Sequence, residues 1–160
     1  MEIAIKTENL HKTYHLGKTT IEVLRGVDLE IERGLWVALL GSSGSGKTTL
    51  LNIIGGLERP DLGSVSVQGI MLEKAKKREI EYLRRKKIGI VFQAYHLIPE
   101  LTTVENVLFP SLICGRSWKE SIAGAELLLD SVGLGHRIHH RPMELSGGEQ
   151  QRAAIARALM

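Results

Sequence analysis

The glycine-rich segment Gly41–Thr48 constrains this chain more than any other feature. It fits the pattern G-x-x-x-x-G-K-[ST], in which backbone N–H groups of a loop surround phosphate oxygens. An unbroken apolar run over 36–40 predicts a buried strand before the loop, and the apolar spacing of 50–57 predicts a helix after it. A strand, a glycine turn and a helix in this order form the context in which the pattern binds phosphate. The alternative, a surface turn, would require both flanking patterns to be accidental.

Each residue type in this loop suits phosphate binding for a chemical reason. Glycine tolerates positive φ and leaves backbone N–H groups accessible, and the start of the following helix adds partial positive charge. We expect Lys47 to reach the β and γ phosphates and Thr48 to offer its hydroxyl to Mg²⁺. The predicted phosphate-binding residues are Gly41, Ser42, Ser43, Gly44, Ser45, Gly46, Lys47, Thr48 and Thr49. These residues predict a phosphate-containing ligand, but they do not by themselves predict an activity.

Composition indicates one ordinary globular domain, with 43% apolar and 24% charged residues in a chain of 160. The net charge is only +3, but eight basic and three acidic residues lie within 71–88. We interpret this segment as an amphipathic helix with a solvated basic face; contact with nucleic acid or an anionic membrane is the alternative. Cys114 is the only cysteine, which excludes an internal disulfide and is consistent with a reducing cytoplasm. No run approaches the roughly 18 apolar residues of a membrane span.

The order of periodic patterns predicts a sheet followed by helices. Period-two alternation or short apolar runs predict strands over 2–8, 21–31, 36–40, 64–67 and 88–92, with a polar connection over 9–20. Helical spacing predicts helices over 50–57, 71–88, 104–108, 121–133 and 146–160, and a loop over 134–142. Thr102 and Glu105 have the spacing of a reciprocal capping pair. We therefore divide the single domain into a β-rich core with the phosphate loop (1–93), a helical subdomain (94–145) and a last helix (146–160).

The last helix begins in an unusual way. Ser146 and Glu149 form a second predicted capping pair, but Gly147 and Gly148 occupy the first turn, where glycine weakens a helix. Glycines at a helix start let an anion approach bare N–H groups, so we predict a second phosphate contact here. Three nearby histidines have a spacing that could ligate metal, but their glycine-rich context predicts a loop instead: His136, His139 and His140.

The segments Gly41–Thr49, Gln93 and Leu145–Arg152, in this order, resemble the ATP-binding subunit of ABC transporters. The resemblance covers essentially the whole chain. It implies an α/β fold: a P-loop NTPase core with an antiparallel β subdomain and an inserted helical subdomain, with the carboxy-terminal part missing. Within this family, 52–57 and 97–107 are most similar to the lipoprotein-release and macrolide-export group.

The resemblance also implies roles for individual residues. Tyr14 would stack on adenine, and Gln93 would lie near Mg²⁺ and the attacking water. Two copies would pack head to tail as a homodimer with ATP between them. The signature residues of one copy would then close over the nucleotide held by Lys47 of the other. These signature residues are Ser146, Gly147, Gly148 and Glu149.

From these roles follow the expected catalytic set, ligands and partners. The expected catalytic residues are Lys47, Gln93 and Ser146, the expected magnesium ligands are Thr48 and Gln93, and the expected cofactors are ATP and Mg²⁺. The partner would be a transmembrane permease, with no nucleic acid involved. The subunit would be cytoplasmic and would lie on the inner face of the cell membrane through that partner.

The sequence departs from the family after the last helix. Family members continue into an apolar strand that ends in a magnesium-binding aspartate and a water-activating glutamate, and later supply a histidine; this sequence holds none of them. Leu127–Asp130 imitates such a strand, but it lies in a helical pattern before the signature. Two functions therefore stand: an ATP-hydrolysing subunit that powers transport, or a nucleotide-binding fragment that is inactive in hydrolysis by itself. A small-molecule kinase would need an acceptor site, and a DNA-repair ATPase a long coiled-coil insertion; we find neither.

Overall fold

The computed structural model describes residues 2–160 and divides the chain into two compact units. The first unit ends at Ile88 and the second begins at Gly89. The three-part structural division at 93 and 145 that the sequence suggested stays a prediction. Among residues 2–160, no helix combines the length and the apolar character that a membrane span requires.

The first unit is built on a four-stranded antiparallel sheet with the strand order β2-β1-β3-β4. The strands are β1 (Ile3–Leu16), β2 (Thr19–Glu32), β3 (Leu62–Val67) and β4 (Ile70–Met71). Two helices belong to this unit, α1 (Lys47–Ile54) and α2 (Lys77–Lys86). The predicted strands 21–31 and 64–67 and the predicted helix after the phosphate loop are therefore present.

The predicted polar connection over 9–20 was wrong. Strand β1 continues to Leu16 and turns into β2 at Gly17, whose φ is +61°. The pairing with β2 shifts register at several places between Thr7 and Thr13, and Asn9 has a φ of +48°. Each such bulge moves the following side chains to the other face of the sheet, so the sequence loses the alternation that marks a strand. Tyr14 consequently lies on β1, opposite Ile21.

The predicted strands over 36–40 and 88–92 are also absent. Residues 36–40 run as irregular chain with exposed side chains, and Trp36 and Leu40 are 101% and 87% exposed. A strand forms only where neighbouring strands accept and donate its backbone hydrogen bonds. The sheet of the described residues contains only β1 to β4, so 36–40 has no neighbour in it. The apolar side chains of 36–40 favour burial, but burial alone does not provide the neighbouring strand that a strand needs.

One apolar cluster holds the first unit together. Helix α1 contributes Leu50 and Ile53 to it, and α2 contributes Leu83, whereas the basic residues of α2 are exposed. This is the amphipathic arrangement that we predicted for the basic segment. The buried members of the cluster are Leu10, Leu24, Leu50, Ile53, Val65, Val67, Leu72 and Leu83.

The second unit is helical and has its own core. Its helices are α3 (Thr103–Ile113), α4 (Trp118–Ser131) and α5 (Gly147–Leu159), with short 3-10 turns at Gly135–Arg137 and Pro142–Glu144. The capping pairs predicted at Thr102 and Ser146 are both formed. Leu127–Asp130 lies inside α4, as expected for a helical pattern. The buried core residues are Val104, Val107, Leu108, Ala125, Leu129, Leu134, Ala153 and Ala156.

Candidate functional site

The phosphate loop depends on glycine at two of its positions. Gly44 and Gly46 have φ of +79° and +86°, in the left-handed region that residues with a Cβ rarely adopt. Gly46 is also closely packed, because a Cβ there would lie 2.9 Å from Leu24 Cδ2 and 3.0 Å from the carbonyl oxygen of Val23. The loop therefore rests directly on strand β2, and α1 starts from this support at Lys47.

The ammonium group of Lys47 folds back across the loop. It donates to the carbonyl oxygens of Gly41 (2.9 Å) and Ser42 (2.5 Å) and to Ser45 Oγ (3.2 Å). A full positive charge is thus held within the loop, at the helix end where the backbone N–H groups are unpaired. Thr48 follows in the first turn of α1 with an exposed side chain. This arrangement suits a polyphosphate with a cation coordinated beside it.

Tyr14 lies beside the same helix and is held by its hydroxyl group. The phenol donates to the carboxylate of Glu58, and Tyr14 Oη lies 3.5 Å from Thr49 Oγ1 on α1. Asn52, also on α1, donates from Nδ2 to Glu58 Oε1 at 2.8 Å. Burial raises the pKa of Tyr14, and the hydrogen bond from Tyr14 lowers the pKa of Glu58. The structure therefore brings Tyr14 together with the phosphate-loop helix. Its adenine-stacking role stays a prediction.

Sequence reasoning missed Glu58 and Asn52. The contact between Tyr14 and Glu58 joins residues that are 44 positions apart, and neither Glu58 nor Asn52 belongs to the phosphate-loop pattern that predicted the site. The turn signal at Pro60 and Asp61, which begins two residues after Glu58, could have indicated that the chain returns to the sheet there. The turn signal could not have indicated that the Glu58 side chain would contact Tyr14.

The second predicted phosphate contact lies at the start of α5, in the second unit. Ser146 Oγ accepts from the N–H of Glu149 at 3.3 Å, and Glu149 Oε2 accepts from the N–H of Ser146 at 2.8 Å. The Ser146 hydroxyl also donates to Glu149 Oε2 at 2.8 Å. The two hydrogen bonds that the carboxylate accepts from Ser146, and then the nearby Arg137, lower the pKa of Glu149 to about 2. Glu149 is therefore occupied with capping the helix. A Cβ at Gly147 would meet nothing within 4 Å, so nothing in the described part of the chain requires glycine there.

Gln93 also belongs to the second unit, where it lies exposed in a turn. The residues that follow it are held by α5, because Arg157 donates to the carbonyl oxygens of Tyr95 and His96. Tyr14 and the loop 41–49 thus lie in one unit, and Gln93 and 146–149 in the other. Within residues 2–160 no group of three or more His, Cys, Asp or Glu side chains is arranged to hold a metal ion.

A family model described as ABC transporter matches residues 24–160. The chain belongs to the ABC transporter family. The match includes the phosphate loop, Gln93 and the α5 start, and it confirms the family and the class of ABC-type ATPase that the sequence predicted. The chain carries the phosphate loop and the signature segment of the nucleotide-binding domain of such an ATPase.

Curated relatives extend the match to the lipoprotein-release group. The chain is 49% identical to the lipoprotein-releasing system ATP-binding protein LolD of Saccharophagus degradans, over 98% of this chain and 68% of the relative. It is 50% identical to LolD of Hahella chejuensis, over 97% and 67% of the two chains. An uncharacterized ABC transporter ATP-binding protein of Thermotoga maritima is 47% identical over 99% and 68%. The chain thus spans about two thirds of the length of the relatives that it matches.

Solved structures confirm the ABC ATPase fold. A dimeric post-hydrolysis state of the ATP-binding cassette MJ0796 bound to ADP and Pi is similar with a TM-score of 0.89 and 43% identity. The similarity covers 97% of this chain and 68% of that cassette. A second dimeric structure of MJ0796 has the same TM-score and 44% identity. The predicted α/β fold with an antiparallel β subdomain and a helical subdomain is therefore correct.

Proposed function

We propose that this chain binds ATP and Mg²⁺ and supplies the ATP-hydrolysing machinery of a transporter of the lipoprotein-releasing type. The observation that carries the proposal is the phosphate loop, in which Lys47 is folded onto the carbonyl oxygens of Gly41 and Ser42 at the start of α1. The LolD names of the relatives support the transport class, and the ADP and Pi bound to MJ0796 support the nucleotide.

The chemistry follows from the charges of the site. Water attacks the γ phosphorus of ATP, the bond to the β–γ bridging oxygen breaks, and ADP and phosphate leave. Lys47 and the N–H groups of the loop compensate the negative charge that develops on the phosphate oxygens. The Thr48 hydroxyl and the Gln93 side chain are the candidate ligands of Mg²⁺, which neutralises further phosphate charge when bound. Gln93 also orients the attacking water.

The start of α5 completes the site of a second copy in this proposal. Ser146, Gly147 and Gly148 of one copy approach the γ phosphate that lies on Lys47 of the other, in a head-to-tail homodimer. The support is that glycine at 147 has an open environment within this chain yet weakens the helix. MJ0796, which has a similar fold, is dimeric in both structures.

The proposed partner is a transmembrane permease subunit. Dimer closure on ATP and opening after hydrolysis would move the permease, with this chain on the cytoplasmic face of the membrane. Nucleic acid has no role in the proposal. The support for this assignment is the name of the LolD relatives, which are ATP-binding proteins of a lipoprotein-releasing system.

The test is to replace Lys47 in the intact protein and to measure both ATP affinity and steady-state hydrolysis. Removing the ammonium group in Lys47→Ala is expected to lower hydrolysis by at least about 100-fold, since it removes charge stabilisation in the transition state. The matched control is Lys18→Ala, which removes a lysine from the turn between β1 and β2. Lys18→Ala is expected to hydrolyse ATP like the unmodified protein. Undiminished turnover in Lys47→Ala would show that the site is assigned wrongly.

A further inference from the structure

The hydroxyl group of Tyr14 is held by the side chain of Glu58, a residue outside the phosphate loop. Glu58 accepts the phenolic hydrogen bond, and its other carboxylate oxygen accepts from Asn52 Nδ2 at 2.8 Å. Glu58 and Asn52 together therefore form a bridge between strand β1 and helix α1. Because α1 starts at Lys47, the bridge sets the distance between the aromatic ring and the phosphate loop.

Asn52 also holds the chain reversal that carries Glu58. Its carbonyl oxygen accepts from the N–H groups of Leu57 (2.8 Å) and Glu58 (3.3 Å), and Gly56 has the φ of +65° that the reversal needs. The backbone and the side chain of Asn52 thus both place Glu58. The two hydrogen bonds to its carboxylate lower the pKa of Glu58, so it is an ionised acceptor at neutral pH.

The ring of Tyr14 is held from a second direction as well. Lys12 Nζ lies over the ring at 5.5 Å from its centroid. The ammonium is itself fixed, because it donates to Asp61 Oδ1 at 3.0 Å and to the carbonyl oxygen of Arg59 at 3.0 Å. The other oxygen of Asp61 accepts from the N–H of Thr13 at 2.7 Å. Tyr14 is therefore an aromatic surface whose position is set before any ligand arrives.

We propose that Glu58, held by Asn52, is a positioning residue that fixes Tyr14 beside α1 and so makes the site prefer triphosphates that carry a base over base-free polyphosphates. A base joined to phosphates in the loop would reach the ring, and stacking on an aromatic side chain is tolerant of base identity. Fixing the ring in advance removes the entropy that a mobile side chain would lose on binding. This inference rests on the proposed function of the phosphate loop.

The experiment compares the affinities of the intact protein for ATP and for inorganic tripolyphosphate, both with Mg²⁺, by isothermal titration calorimetry. The ratio of the two affinities measures how much the contact with the base adds to binding. The affinity for tripolyphosphate alone measures binding by the phosphate loop. Glu58→Ala and Tyr14→Phe are each expected to lower the ratio about threefold to tenfold while tripolyphosphate affinity is unchanged. The matched control is Glu30→Ala, which removes an exposed carboxylate of the same sheet, opposite Lys6 in the pairing of β1 and β2.

A double-mutant cycle shows whether the two residues act as one unit. In the Tyr14→Phe background, Glu58→Ala is expected to cause no further loss in the ratio, because the hydrogen bond is already absent. Glu58→Gln keeps an oxygen acceptor for the phenol and is expected to retain most of the preference. If Glu58→Ala does not fold, Tyr14→Phe decides the matter, because it removes the same hydrogen bond, and an unchanged ratio in Tyr14→Phe would overturn the positioning role.

The outcomes separate this inference from the proposed function. An unchanged ratio in Glu58→Ala, with both ligands still bound, would overturn the positioning role and leave the phosphate loop intact. Equal losses for both ligands would also overturn it, since the carboxylate would then serve the fold in general. If Lys47→Ala bound both ligands like the unmodified protein, the proposed function itself would be wrong.

Discussion

Arg157, in the last turn of α5, donates from Nη1 to the carbonyl oxygen of His96 at 2.6 Å. Its Nη2 atom donates to the carbonyl oxygen of the preceding residue, Tyr95, at 2.5 Å. Both residues have positive φ, +58° for Tyr95 and +48° for His96, which is uncommon without glycine. One guanidinium group thus holds two consecutive left-handed residues shortly after Gln93. The burial that this contact requires lowers the pKa of Arg157.

We predict that Arg157→Ala loosens the segment after Gln93 and destabilises the second unit. Two charge-assisted hydrogen bonds disappear, which is expected to lower the free energy of unfolding by about 2 kcal/mol. Urea denaturation measures this change, and hydrogen exchange should show faster exchange at residues 94–97. The control is Arg152→Ala, an exposed arginine on the same helix, with an expected change within about 0.5 kcal/mol. Equal effects of both substitutions would contradict the specific role of Arg157.

A second prediction concerns the support of the phosphate loop. Gly46→Ala places a Cβ against Leu24 and Val23 in a left-handed conformation, so we expect the loop to move and nucleotide affinity to fall at least about tenfold. Gly17→Ala is the matched control, because Gly17 has a φ of +61° but an open environment. It is expected to cost about 1 kcal/mol of stability and to leave affinity unchanged. Titration with ATP and thermal denaturation measure the two effects. Normal ATP binding by Gly46→Ala would be inconsistent with this packing argument.

The glycine at the start of α5 gives a prediction in which stability and activity change in opposite directions. Gly147→Ala adds a methyl group in open space and reduces the backbone entropy lost on folding. We expect the free energy of unfolding to rise by about 0.5–1 kcal/mol. If a second copy brings phosphate to this turn, ATP hydrolysis by the intact protein should fall. Denaturation curves and phosphate-release assays check both parts, and a variant with full hydrolysis would argue against the proposed contact.

The capping carboxylate of Glu149 predicts a dependence of stability on pH. Its hydrogen bonds with Ser146 come first among the causes that lower its pKa from 4.5 to about 2 in the folded chain. The unfolded chain binds this proton more tightly, so the stabilisation is fully present above pH 4.5 and disappears as the pH falls toward 2. Glu149→Gln should therefore be less stable than the unmodified protein at pH 7, with a difference that narrows below pH 4.5. A stability difference that does not depend on pH would show that the ionised carboxylate of Glu149 is not its cause. An NMR titration of this carboxyl group gives its pKa directly.

The phosphate loop and the α5 start were predictable because each depends on neighbours in the chain. The positive φ of Gly44 and Gly46, the helix that begins at Lys47 and the capping pair of Ser146 and Glu149 all involve residues within a few positions of one another. Such local chemistry leaves a readable spacing in the sequence. The family assignment followed from the same segments in their order.

What the sequence by itself determined is the set of local elements: the phosphate loop, the capped helices and the apolar faces that they bury. The tertiary structure decided everything that needs a distant partner. Apolar runs such as 36–40 become strands only where other strands pair with them, and the bulges of β1 concealed a strand that contains Tyr14. The contacts of Tyr14 with Glu58 and of Arg157 with His96 join residues that are 44 and 61 positions apart. Their energy depends on positions in space, which the linear spacing of residue types does not record.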